Sequence, residues 1–362
     1  MLESESVNRV FFEEPATFSG SNNGDRPAGL RDAYPSYASK RRALEIQLVD
    51  YFEQRGCSLV SASAIESLDT FWRAKTSLSV DDAYQILMAP GKLAVLRPEM
   101  TPSIARMAAP VLQQHPQPLY WCYAERVYRK PGSVSSWSEL AVDAVESTQV
   151  GVEWMGVSEA ADADLLLLCH EALQQLSVQG ARTVVSHARL AVLFLNAAGI
   201  SEDVIAKSLQ QLVRGDYVGF QELMMTYHPS VSLLTCLRQL NPYDSESLKR
   251  QLERCGQAVQ KNTELYQVWN TVVSIAKQIT ELGRQQEYTF DFTLTRNIAY
   301  YTGILFETFA PGVGAPIALG GRYDELLKQY GADAPAVGFV LELERLLNVV
   351  ASTTNRGGES LC

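Results

Sequence analysis

Arg296-Asn-Ile-Ala-Tyr-Tyr-Thr-Gly-Ile-Leu-Phe-Glu307 is the stretch on which the reading of the chain turns. Just upstream, Tyr288, Phe290, Phe292 and Leu294 alternate with smaller or polar residues, the period-2 pattern of a half-buried strand. Thr295, Arg296 and Asn297 interrupt that pattern, and Ile304 to Phe309 reads as more strand. An arginine, two adjacent tyrosines and a glycine on paired strands would offer one ligand a guanidinium, phenol hydroxyls and a close backbone approach. The same two tyrosines would also serve as core packing. A second stretch, Ala318-Leu-Gly-Gly-Arg-Tyr-Asp-Glu-Leu-Leu327, follows, with a glycine pair leading into a helix start.

Composition narrows the classes open to this chain. Its 362 residues suffice for a large core, either one big domain with an insertion or two domains. A net charge of −10 opposes a nucleic-acid-binding surface, which normally carries a basic excess. The longest aliphatic run is Leu165 to Leu168, against the ~20 residues a membrane span needs. Met1-Leu-Glu-Ser-Glu lacks the basic start and apolar core of a signal peptide. The six cysteines show no C-x-x-C spacing, and with four histidines they form no recognisable metal site. The expectation is a cytoplasmic protein with reduced thiols, no metal, no cofactor, and neither nucleic acid nor membrane as partner.

In chain order, residues 1 to about 25 are polar and acidic and read as a disordered tail. Tyr37–Gln54 carries an amphipathic helical pattern stopped by Gly56, and Ser58 to Ala62 reads as a short strand. Leu93 to Leu96 is a strand running into Arg97-Pro-Glu-Met-Thr-Pro102, with a helix over Ser103–Leu112. Glu99 there would be well placed to meet an ammonium group, or would act only as a first-turn carboxylate favoured by the helix dipole. Leu119 to Ala124 and Val145 to Glu153 read as strands flanking a polar loop, Arg129 to Ser136. Ser158 to Leu176 reads as helix and Thr183–His187 as strand. From about 189 to 283 the pattern is nearly all helical, an insertion within the larger domain. Ser201 opens one helix there with an N-cap signature. Leu265, Val268, Trp269, Val272, Ala276 and Ile279 form a stripe that fits core packing better than a cofactor box. Val337 to Leu347 is a short strand entering a helix that carries Arg345.

Taken together these stretches resemble the histidyl-tRNA synthetase family. Arg…Tyr-Tyr-Thr-Gly and Gly-Gly-Arg-Tyr-Asp match its two histidine-specific motifs. The segment from Arg26 to Ala62, the strand–loop–strand from Leu119 to Glu153 and the strand–helix around Arg345 match the three class II motifs. The first of these is partial: Ala62-Ser63-Ala64 lacks the usual proline, in a motif that builds the family's dimer interface. The resemblance implies an α+β fold: a mixed, mostly antiparallel sheet flanked by helices, with a helical insertion. It also implies a histidine pocket of Glu99, Thr101, Gln149, Glu153, Arg296, Tyr300 and Tyr301. Glu99 and Thr101 would take the ammonium, Arg296 the carboxylate, and Glu153 with Tyr301 the imidazole. Ala299 replaces an aspartate usual in the family.

The ATP site departs from the pattern. Tyr123 stands where the resemblance places the phosphate- and carboxylate-contacting arginine, and Val145 where it places a second. Glu342 replaces a glycine, and would pair with Arg345 three residues on. Each lost cation would cost roughly 10²–10³ in rate if it acts as a single electrostatic donor. Arg126, Arg129 and Lys130 offer partial compensation. Only 17 residues follow Arg345, too few for an anticodon-binding domain. A kept histidine pocket, an altered ATP site and no anticodon domain resemble the synthetase-like regulatory subunits of ATP phosphoribosyltransferase. Those act with a short catalytic subunit in the first step of histidine biosynthesis, as hetero-octamers built on a homodimer core. The competing expectation is a truncated synthetase paralogue that adenylates histidine or modifies another protein.

Overall fold

The computed structural model describes residues 29–30, 32–74, 83–88, 91–130, 145–256, 263–295 and 300–356. The expected tail at 1–25, most of the Arg129–Ser136 loop, Arg296 and Ala299 lie outside the described residues. The chain runs through α1 (Pro35–Gln54), β1 (Ser58–Leu59), β2 (Ile65–Ser67), α2 (Leu68–Arg73), β3 (Gln85–Met88) and β4 (Lys92–Leu96). Then come α3 (Thr101–Gln114), β5 (Leu119–Tyr128), β6 (Glu146–Met155), α4 (Asp162–Gln175) and β7 (Arg182–His187). A helical stretch follows: α5 (Leu190–Ala197), α6 (Glu202–Val213), α7 (Tyr217–Tyr227), α8 (Leu233–Arg238), α9 (Ser247–Arg254) and α10 (Thr263–Glu281). The sheet resumes with β8 (Tyr288–Phe290), β9 (Ile304–Phe309), β10 (Ala318–Arg322) and β11 (Ala336–Glu342), and α11 (Leu343–Arg356) follows.

The main sheet has the order β1-β5-β6-β11-β10-β9-β7-β8. Its outer pairs β1/β5 and β7/β8 are parallel, and the pairs between them are antiparallel. This is the mixed, mostly antiparallel α+β sheet expected. A small sheet, β2-β4-β3, stands apart.

Side chains of a strand alternate between faces, so the sheet sorts its residues into two cores. Cys122, Val150, Val152, Phe306, Phe339 and Leu341 share one buried cluster with Leu48 and Phe52 of α1, Leu165 of α4 and Leu346 of α11. Tyr123, Leu319 and Val340 point the other way and pack with Ile104, Ala105 and Ala108 of α3. The functional face is this second one. The α10 stripe lies in the first core, with Trp269 1% exposed and its indole N–H donating to the Ser245 carbonyl at 3.0 Å. It packs, as expected.

Several boundaries differ from the sequence reading. The strand at Tyr288 ends at Phe290, because the Asp291 carboxylate accepts from both the backbone N–H and the hydroxyl of Thr293 and turns the chain. Phe292 stays buried without being on a strand, and Tyr300 and Tyr301 precede β9 instead of lying on it. The strand at Ser58 is two residues long. Ser201 sits at the N-cap of α6 in extended conformation but makes no side-chain cap bond; Glu202 and Asp203 supply the first-turn charge instead. Among the described residues no helix is long and apolar enough to cross a membrane, and no His/Cys/Asp/Glu group is arranged to hold a metal.

Candidate ligand site

Glu153 is the hub. It lies on β6 in a row of directly paired residues: Trp121 on β5, Glu153, Gly338 on β11 and Gly321 on β10. Its carboxylate folds over Gly338, and a Cβ at that position would collide with it and with the Val152 carbonyl. Glycine is therefore required opposite the glutamate. Thr101, the first residue of α3, donates its hydroxyl to one carboxylate oxygen at 2.7 Å, and Tyr323 donates to the other. Burial pushes the Glu153 carboxyl up to about 7; the two hydroxyl donors pull it down, and the nearby Glu99 charge pushes it up again.

Around this hub the polar groups are nearly all acceptors or hydroxyls. Glu99 is 2% exposed and accepts from the Tyr300 hydroxyl at 2.9 Å. The Tyr300 ring meets Tyr323 edge-on at 6.0 Å and Tyr301 at 5.2 Å, and the Tyr301 ring lies against Gly321. Farther along β6, Gln149 donates to Glu342 at 2.9 Å. Tyr123 is paired with Gly151, and its phenol lies so close over that glycine that a Cβ there would stand 2.5 Å from the hydroxyl oxygen. Burial raises the Tyr123 phenol well above its ordinary value, and Glu153, Glu342, Tyr301 and Glu99 push the same way. The phenol stays neutral.

The cations are engaged elsewhere. Arg126 pairs with Glu146 at 2.6 Å on the outer side of the strands. Arg345 donates to the Pro316 carbonyl at 2.6 Å, and Glu342 takes Gln149 in place of Arg345. The expected Glu342–Arg345 pair fails because Glu342 ends β11 and is not on the helix, so helical spacing does not apply to it. Arg129 donates to the Pro98 carbonyl at 2.8 Å and is otherwise buried, with one guanidinium nitrogen unpaired. Val145 is buried and joins only through its backbone, to Arg129 and Gly29.

Two parts of the site escaped the sequence reading. Tyr323, not Tyr301, supplies the hydroxyl to Glu153; it was visible in Gly-Gly-Arg-Tyr-Asp but carried no assigned role. Arg97, 2% exposed, bonds the carbonyls of Ala62 and Arg126 and the Glu125 carboxylate, and so anchors the turn that presents Glu99. Thr101 bonds Glu153 directly, which ties the ammonium and imidazole ends of the expected pocket together. A separate cavity of about 730 Å³ opens between His187, Arg189, Glu159 and α10, and none of the described pocket residues lines it.

An acid-lined, hydroxyl-rich trough of this kind suits a donor-rich amino acid and repels a polyphosphate. Residues 29–346 match the family model of histidyl-tRNA synthetase. The ATP phosphoribosyltransferase regulatory subunit of Lysinibacillus sphaericus is 30% identical over 331 residues, covering 90% of this chain and 82% of its own length. The namesake from Moorella thermoacetica is 31% identical over 326 residues, covering 89% and 80%. The chain belongs to the regulatory-subunit branch of the histidyl-tRNA synthetase family. A solved structure described as a histidine–tRNA ligase subunit from Alicyclobacillus acidocaldarius is 42% identical, with a TM-score of 0.79 over 91% of this chain and 98% of that one. The Bacillus halodurans structure described as a regulatory subunit/histidyl-tRNA synthetase shares the fold at a TM-score of 0.73 and 23% identity, over 91% and 83%. For a member of the regulatory branch, Tyr123, Val145 and Glu342 are the telling positions. A neutral phenol, an apolar side chain and a carboxylate stand where an adenylating site needs positive charge.

Proposed function

We propose that this chain is the non-catalytic regulatory subunit of ATP phosphoribosyltransferase, binding free histidine and acting on a separate short catalytic subunit in the cytoplasm. The observation that carries this reading is the buried Glu153 carboxylate, set over Gly338 and held by Thr101 and Tyr323, in a trough with no cation engaged for ATP. A carboxylate buried at such cost is suited to an imidazole N–H. Glu99 and Thr101 take the ammonium, Gln149 lines the approach, Tyr300 and Tyr301 wall the pocket, and Arg296 takes the carboxylate. A homodimer core within a hetero-octamer is the assembly proposed.

Histidine regulates only if two states of the complex bind it unequally. Glu153→Gln tests this, since it keeps shape and removes charge assistance. The loss of about 1–2 kcal/mol corresponds to roughly five- to thirty-fold weaker histidine binding. The reconstituted complex should keep its uninhibited transferase rate, while its inhibition curve moves to higher histidine by a similar factor. An unchanged curve beside weakened binding would put the regulatory histidine elsewhere.

A further inference from the structure

Tyr123 has so far counted only as a missing arginine. Its side chain is 1% exposed, yet its hydroxyl makes no hydrogen bond with any described residue; only burial and neighbouring charges act on it. Buried hydroxyls are ordinarily paired, and an unpaired one costs stability. The ring cannot readily turn away, because the phenol is wedged over Gly151 between β5 and β11. Nearby stand Glu153, Glu342 and Glu99, so the phenol is a neutral donor in a ring of acids.

We infer that the Tyr123 hydroxyl reads the ligand, donating to the carboxylate of a bound free amino acid. This rests on the proposal that the trough binds histidine. Gly151 precedes Glu153 by two residues on the same face, about 6.8 Å along the strand. That is close to the span of histidine from imidazole to carboxylate, so a ligand with its imidazole on Glu153 brings its carboxylate over Gly151, beneath the phenol oxygen. A free amino acid has one group that can only accept, and it is the carboxylate. A neutral donor also avoids neutralising the surrounding acids, which would have to release the ligand's ammonium. The position thus favours the free acid over an acyl-adenylate, whose carbonyl is esterified and whose phosphate the acids repel.

Tyr123→Phe tests it, with calorimetry of histidine and of histamine, which lacks the carboxylate. The variant should bind histidine about tenfold more weakly and histamine as the parent does. Its thermal midpoint should stay level or rise, since the lost hydroxyl has no partner in the fold. An equal loss for both ligands, no loss for either, or a lowered midpoint would overturn the inference while leaving the histidine pocket in place. A parent protein that binds no histidine would overturn both.

Discussion

At Glu153 two effects oppose each other. Burial disfavours the charged carboxylate, while the Thr101 and Tyr323 hydroxyls favour it, and burial wins: the group sits at about 7 against an ordinary 4.5. The sign of the pH dependence follows. Between these two values the folded chain holds a proton that the unfolded chain has released, so stability is highest at the acidic end and falls as pH rises through 7. The whole effect is on the order of 3 kcal/mol. Asp162, raised to about 6 by burial, acts in the same direction, whereas His170 and His187, lowered to about 4 by burial, act oppositely. The difference from Glu153→Gln isolates the glutamate. Thermal midpoints of the ligand-free chains should diverge from pH 5 to 8, with the glutamine variant increasingly the more stable. Parallel midpoint curves would mean that Glu153 ionises normally.

The decisive elements are β6 and β11, which face each other through Glu153 and Gly338 and through Gln149 and Glu342. β11 is buried along its whole length, so nothing at its centre can move aside cheaply. Gly338→Ala puts a methyl group into the Glu153 carboxylate and the Val152 carbonyl. Overpacking of this kind costs about 1–3 kcal/mol, and here it also displaces the hub of the site. The variant should lose both stability and histidine binding. Gly314→Ala, where an added Cβ meets nothing within 4 Å, should change neither. Denaturant melts and calorimetry on the pair would check this, and intact histidine binding in Gly338→Ala would remove Glu153 from the pocket.

On the scale of the whole molecule, the question is whether a synthetase fold still performs synthetase chemistry. The Alicyclobacillus relative carries a ligase description, and the sheet, motif strands and histidine-specific stretches are all of that family. The charges of this site are not suited to it. The chain alone should give no histidine-dependent ATP–pyrophosphate exchange above a no-protein control. Tyr123→Arg with Val145→Arg should not restore full exchange, because Glu342 remains on Gln149, facing where a nucleotide's charge would lie. Clear exchange by the unaltered chain would favour the adenylating paralogue.

The motifs alone determined the family, the mixed sheet, the buried stripe on α10 and the identities of most pocket residues. Those properties are local: strand alternation, helical spacing and glycine pairs are written over a few consecutive positions. Tertiary structure alone decided who touches whom. Tyr323, not Tyr301, reaches Glu153, and Glu342 bonds Gln149 across 193 positions of sequence instead of Arg345 three residues away. Strand register sets such pairs, and a shift of one residue would turn every side chain to the other face. The unpaired hydroxyl of Tyr123 is likewise invisible in sequence. A tyrosine can bond almost anything, and only the neighbours brought in by β6, β11 and α3 leave this one without a partner.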